Sequence, residues 1–436
     1  MFRTRVTETS TLVGLVPAGR PSNANQARRL AAAVTLRVSA SWIVCALAAL
    51  GAGPAQAQAP SETVLFSFGS APSAAAPYAG VVSDSAGNLY GTTSQGGAAN
   101  AGVAYKLDAA GQETVLYSFT GGADGDCPYA GVIRDAAGNL YGTTYAGGTS
   151  GAGVVYKLDA AGQETVLYSF TGFVDGGYPR GGVIRDSSGN LYGTTYGGGA
   201  GKCNYEVVPA YLGQRCGVVF KLDPSGQETV LYTFRGGGDG FGPAAGVIRD
   251  SAGNLYGTTA NGGLFNPGVC PDSGCGVVFK LDTSGNLTVL HRFAGGIDGS
   301  NPRAGVIRYS AGNLYGTTQN GGESGNGAVY KLDAAGNETV LYSFTGGADG
   351  SKPWAGVVRD SAGNLYGTTY YGGTADWGVV YKLDAAGQET VLMEFTGGAG
   401  GGGPWAGVIR DPAGNLYGTA GSGGTAATGV VFKLTP

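Results

Sequence analysis

Seven times the chain reads Pro-x-Ala/Gly-Gly, and x changes at each pass: Tyr78, Tyr129, Arg180, Ala244, Arg303, Trp354 and Trp405. Just after a recurrent Asn-Leu-Tyr-Gly-Thr-Thr stretch stand Ser94, Tyr145, Tyr196, Ala260, Gln319 and Tyr370. The residues around these positions repeat almost verbatim. The positions themselves vary, yet favour aromatic rings and Arg. Flat π-faces beside Arg and amide donors can stack on the C–H faces of sugar rings, and they suit peptide recognition equally. Trp354, Trp377 and Trp405, with Tyr370 and Tyr371, crowd into the last two repeats. The candidate ligand-binding set is therefore Tyr78, Tyr129, Arg180, Arg303, Trp354, Tyr370, Tyr371, Trp377 and Trp405. The plainer alternative is that Pro-Trp and Pro-Tyr pairs seal the joints between repeats.

Other chemistries find little support. The chain has one histidine, His291, in the place that Phe66, Tyr117, Tyr168, Tyr232, Tyr342 and Met393 occupy elsewhere, which predicts a packing role. Ser-His-Asp and Cys-His catalysis and His-ligated metal centres are excluded on that count. Asp135, Asp186, Asp250, Asp360 and Asp411 recur after the first strand of each repeat, and Asp108, Asp159 and Asp384 before the fourth. Such regular carboxylates read as turn formers. Asp124 and Asp126 could suggest calcium, but the matching loops hold a single Asp (Asp175, Asp239, Asp298, Asp349), and no twelve-residue EF loop occurs. Arg134, Arg185, Arg249, Arg308, Arg359 and Arg410, with the third-strand lysines, are expected to lace the short-turn face with ion pairs and packed stems. Few acids break the repeat: Glu206, Glu323 and Asp376. No catalytic residue, cofactor or metal ligand is assigned.

Cys203 and Cys216 bracket one insertion, and Cys270 and Cys275 another. Each pair reads as a disulfide stapling its own loop; zinc is the alternative, without a histidine to support it. Cys127 is left as a free thiol. Residues 1–57 carry six Arg and one Glu, then the apolar run Ser-Trp-Ile-Val-Cys-Ala-Leu-Ala-Ala-Leu and a small-x-small end at Ala55 and Ala57, the pattern of a secretory signal. Without them the chain keeps 20 basic and 29 acidic residues, a balance of nine negative charges. No basic surface is left to track phosphates, so nucleic acid is not an expected partner.

The elements that must position these residues follow from the period. Asn-Leu-Tyr-Gly-Thr starts at Asn88, Asn139, Asn190, Asn254, Asn313, Asn364 and Asn415, at intervals of 51, 51, 64, 59, 51 and 51 residues. The two long intervals hold the Cys-bracketed insertions, so the underlying period is 51. Each unit holds four β-prone runs rich in Val, Ile, Tyr and Thr, separated alternately by Asp-x-x-Gly turns and by longer Gly-rich loops. A four-stranded meander cannot bury both faces alone, and seven of them at this period predict a β-propeller. The last unit, ending Gly-Val-Val-Phe-Lys-Leu-Thr-Pro, lacks a fourth strand, whereas Glu62–Phe68 repeats the fourth-strand phrase ahead of the first unit. The expected fold is an all-β, seven-bladed propeller of four-stranded antiparallel blades over 61–436, closed by strand 62–68 in the last blade. An open solenoid would need polar capping units, and neither end has one.

The recurring GNLYGTT…GG…GVVYKL…G…TVLYSF resembles the GloVer-type tandem repeat of exported bacterial proteins, over about residues 61–436. It is also similar in strand order to NHL- and kelch-like propellers. The resemblance implies export, to the periplasm or beyond, and a repeat fold; it implies no catalytic residue. Some members carry a C-terminal anchoring segment, and no such segment is read before Pro436. The resulting expectation is an exported, non-catalytic binding propeller, monomeric and without a membrane span once the signal is removed. Its partner would be a glycan or an extracellular protein on the long-loop face. A polysaccharide lyase or hydrolase working from the channel mouth, and a structural envelope scaffold, remain open alternatives.

Overall fold

The computed structural model describes residues 60–69, 74–200, 203, 216–270 and 273–436. The expected signal segment 1–57 and Glu206 lie outside the described residues. Among the described residues there is no helix, and seven four-stranded antiparallel sheets account for nearly all the strands.

Blade two serves as the pattern. Its strands are Ile133–Arg134, Leu140–Thr144, Val154–Leu158 and Glu164–Ser169, joined in sequence order. Both faces of the second and third strands are buried, as expected for sheets flanked by sheets. Asp135 turns the chain between the first two strands. Its carboxylate accepts the backbone N–H groups of Ala137 and Asn139, the Asn139 amide and the Tyr141 hydroxyl. In blade one, desolvation would raise the equivalent Asp84, but hydrogen bonds from Asn88 and Tyr90 outweigh it and hold the group at about 2.

Closure occurs where the repeat phrase predicts. Ser61–Ser67 pairs antiparallel with Val430–Thr435, and the Phe68 N–H donates to the Gly429 carbonyl at 3.0 Å. Three further sets of contacts pass from blade to blade and return to the first. Thr92, Thr143, Thr194, Thr258, Thr317, Thr368 and Thr419 are all buried. Each donates its hydroxyl to a backbone carbonyl of the next blade at 2.7–3.0 Å, the last reaching Ala79 of blade one. Phe68, Phe119, Phe170, Phe234, Phe293, Phe344 and Phe395 end the outer strands. Each packs edge-on against a third-strand aromatic of the following blade, with centroids 5.0–5.3 Å apart. Nearest the axis, the glycine ending each Pro-x-Ala/Gly-Gly presses on the equivalent glycine of its neighbour. A Cβ on Gly131 would lie 3.0 Å from the Gly80 oxygen, one on Gly246 2.5 Å from the Gly182 oxygen, and one on Gly80 3.5 Å from the Gly407 oxygen.

The basic residues of the short-turn face behave differently from expectation. The guanidinium groups of Arg134, Arg185, Arg249, Arg308, Arg359 and Arg410 lie 5.5–5.8 Å over Tyr90, Tyr141, Tyr192, Tyr256, Tyr315 and Tyr366 of the preceding blade. None of them forms an ion pair among the described residues. Each Tyr hydroxyl already donates to a turn Asp, or in blade five its ring meets Tyr309 in that place, so the guanidinium covers the exposed π-face. The face is held by cation–π stacking rather than by a lattice of ion pairs.

On the outer edge, Tyr117, Tyr168, Tyr232 and Tyr342 donate their hydroxyls to Asp124, Asp175, Asp239 and Asp349 at 2.9–3.0 Å. These aspartates are thus tied into their own loops, and no His/Cys/Asp/Glu cluster fit for a metal occurs among the described residues. His291 takes the tyrosine's place in blade four, 3.6 Å from Asp298 and edge-on to Phe293. Burial, and then the charge of a neighbouring Asp, pushes Glu164, Glu228 and Glu389 up to about 7. Glu338 also reaches about 7 by burial, with His291 opposing the rise and Asp298 adding to it. A carboxyl raised in the folded state binds its proton more tightly there than in the unfolded chain. Stability from these groups is therefore highest below their ordinary value of 4.5, and it falls as pH rises through about 7. The melting temperature should be higher at pH 5 than at pH 8, and Glu164→Gln/Glu228→Gln/Glu389→Gln should narrow that gap. Equal narrowing by Asp108→Asn, a surface-turn control, would contradict this origin.

Candidate ligand-binding site

The threonine staples set the position of the variable residues. Each donates its hydroxyl to the carbonyl of the residue directly after x, so every x side chain leaves the backbone from an anchored point. All seven x side chains converge. Tyr78, Tyr129, Arg180, Ala244, Arg303, Trp354 and Trp405, with Tyr145, line one cavity of about 490 Å³. Its size is within the range of small-molecule sites. The rings border the space rather than fill it.

The circle divides into two arcs. Blades six, seven, one and two contribute Trp354, Trp405, Tyr78 and Tyr129 in continuous contact, with successive centroids 3.9, 4.7 and 5.9 Å apart. Blades three, four and five contribute Arg180, Ala244 and Arg303, where the small Ala244 leaves room between two cations. Arg180 lies 4.1 Å over Tyr196 and 5.4 Å over Tyr145, and its Nε is buried without a hydrogen-bond partner. Arg303 lies 5.5 Å over Trp354 and donates from Nε to Gln319 Oε1. Burial lowers the Arg303 pKa; Tyr196 raises it, and the like charge of Arg180 lowers it again. Burial likewise raises the Tyr129 phenol. The Trp354 indole N–H is buried and unpartnered, and its ring stacks on Tyr370 at 4.7 Å and 10°.

Three of the nine sequence candidates sit elsewhere. Tyr370, Tyr371 and Trp377 line a second, smaller cavity of about 280 Å³ with Ala375, Asp376 and Gly403. Tyr370 links the two, stacked on Trp354 on one side and edge-on to Tyr371 at 4.5 Å on the other. Trp377 covers Gly397 and Gly402 of the next loop, which displaces it from the axis. Sequence reasoning left out Tyr145 and Ala244. Tyr145 was signalled by its place after the Asn-Leu-Tyr-Gly-Thr-Thr stretch, and Ala244 by being the one small x.

Of the acids considered for a catalytic mouth, Glu323 and Asp376 do not gather there, and Glu206 lies outside the described residues. Asp376 borders the second cavity and accepts the Gly372 N–H, and Glu323 is exposed. Among the described residues, no Asp or Glu lines the central cavity. The cysteine pairs Cys203–Cys216 and Cys270–Cys275 are bonded, with Cα atoms 5.2 and 5.4 Å apart. Cys127 is free; burial and the adjacent Asp126 push its thiol up to about 12, far from a reactive thiolate.

No curated protein matches the chain. Solved structures similar to it are distant. The extracellular domain of a one-component system from B. thetaiotaomicron is 11% identical at a TM-score of 0.49, over 84% of this chain and 39% of that one. A puromycin hydrolase is 13% identical at 0.46, over 79% and 50%. A protein of unknown function from Dyadobacter fermentans is 11% identical at 0.41, over 86% and 97%. The chain thus spans less than two thirds of the length of the first two. The sequence model of the Gloeobacter/Verrucomicrobia repeat matches residues 55–271, 210–355 and 272–436, without a gap across all seven blades. The chain belongs to the Gloeobacter/Verrucomicrobia repeat family.

Proposed function

We propose that the protein is exported by its N-terminal segment and acts as a non-catalytic binding module whose central cavity holds a saccharide. One observation carries the reading: the seven x positions, which vary among closely similar repeats, converge on a single cavity. The repeated residues are spent on turns, staples and seams, and need no ligand to explain them. Four contiguous aromatic rings offer stacking faces, while the Trp354 indole N–H and the Arg180 Nε offer donors without partners. Two disulfides fit an oxidising compartment. No helix among the described residues is long and apolar enough to cross a membrane.

A glycan array with the wild type and variants tests the reading. Trp354→Ala/Trp405→Ala should weaken binding by roughly 30-fold, the loss typical of a buried aromatic anchor worth about 2 kcal/mol. Trp377→Ala should bind within about twofold of wild type, since it lies outside the central cavity, on the reasoning that energetic anchors cluster centrally. Binding unchanged in the double variant would remove the site.

A further inference from the structure

We propose that the ligand of the central cavity is an acidic sugar, its ring held by the aromatic arc and its carboxylate by Arg180 and Arg303. The inference rests on the saccharide reading above and adds the ligand's charge. The non-repeated cations of the described chain fall into two groups. Arg235 lies 3.9 Å from the Asp239 carboxylate, Arg292 donates to the Gly238 carbonyl, and Lys352 donates to Asn320 Oδ1 and the Gly325 carbonyl. Those three lie outside the cavity and are satisfied by the protein. Arg180 and Arg303 face the cavity, and neither lies within 4.0 Å of a carboxylate among the described residues.

Two half-buried guanidinium groups lining one cavity are unfavourable without an anion, and burial, with the charge of Arg180, lowers the Arg303 pKa. Their stacking on Tyr196, Tyr145 and Trp354 supports only the flat faces. Stacking does not engage the in-plane N–H groups, which match a carboxylate bidentately. Arg180 Nε has none, and Arg303 uses its Nε on a neutral amide. Ala244 between them leaves the gap such a group would enter. The chain outside residues 1–57 is nine charges negative, so this is a local concentration of positive charge on an acidic protein. Facing it across the cavity, Trp405 and Tyr78 present the surface for the sugar ring. A hexuronate combines both features in one residue.

Titration calorimetry with trigalacturonate and its fully methyl-esterified form isolates the charge at constant sugar shape. Wild type should bind the acid at least tenfold more tightly than the ester, with an affinity that falls as salt is raised. Arg180→Gln/Arg303→Gln should abolish that preference, and Arg180→Lys should retain part of it; melting curves confirm that both fold. Trp354→Ala/Trp405→Ala should weaken acid and ester alike. Equal binding of acid and ester by wild type would overturn the charge assignment while leaving the saccharide reading intact. An acid preference that survives Arg180→Gln/Arg303→Gln would overturn it too, and stronger binding of a sulfated trisaccharide than of the uronate would overturn the carboxylate in favour of a sulfate ester. Failure of every saccharide, acidic or neutral, beside capture of a peptide C-terminal carboxylate would overturn both.

Discussion

Removing residues 60–68 should abolish the cooperative melting of the propeller. The deleted strand makes six register pairs with Val430–Thr435 and places Phe68, fully buried, against Tyr105 of blade one. Leu65 and Phe66 are part-buried in the same seam, and Val64 is part-buried in the seam between blades six and seven. Burial of several such side chains at about 1.5–3 kcal/mol each, with hydrogen bonds at about 1 kcal/mol, gives a loss on the order of 10 kcal/mol. Domain stability is typically about 5–15 kcal/mol, so the deletion consumes most of it. Circular dichroism melts and gel filtration would read the change, and a synthetic peptide of residues 60–69 should partly restore the transition. An unaltered melt would mean that the ring is not held at its termini.

The second large effect is expected at the axis. Gly246 has no Cβ, and one placed there would stand 2.5 Å from a backbone oxygen, that of Gly182. Backbone cannot step aside as a flexible side chain can. Gly246→Ala should therefore force blades three and four apart, at about 1–3 kcal/mol for overpacking. Gly246→Val should be worse still. Gly237→Ala provides the contrast, because a Cβ at Gly237 meets nothing within 4 Å. The variants differ only in where the methyl group falls, so thermal melts compare them directly. A Gly246→Ala protein as stable as Gly237→Ala would indicate a looser centre than the one described.

Much of this was legible because repetition multiplies weak local signals. One Asp-x-x-Gly is a poor turn predictor, but the same tetrad at a constant spacing fixes strand boundaries. The displaced phrase at 62–68 then required a ring, and Ser61–Ser67 indeed pairs with Val430–Thr435. What escaped lies between blades. The stacking of Arg134 on Tyr90 joins residues that no local rule brings together, so ion pairs seemed the natural use of the arginines. The bulge shifting register between third and fourth strands, as at Val155/Tyr156, leaves no mark in alternation when both faces are buried. The same limit applies to the site. The x positions share a structural address and so fell into one cavity. Trp377 belongs to a long loop whose lateral reach depends on the glycines beneath it, and it came to rest over Gly397 and Gly402.

The most direct measurement is diffraction from crystals soaked with the oligosaccharide that binds best on the array. The account predicts a sugar ring within van der Waals distance, about 4 Å, of Trp405 and Tyr78, with its polar groups toward Arg180 and Arg303. A sugar seated instead against Tyr371 and Trp377, with the central cavity holding only solvent, would contradict it.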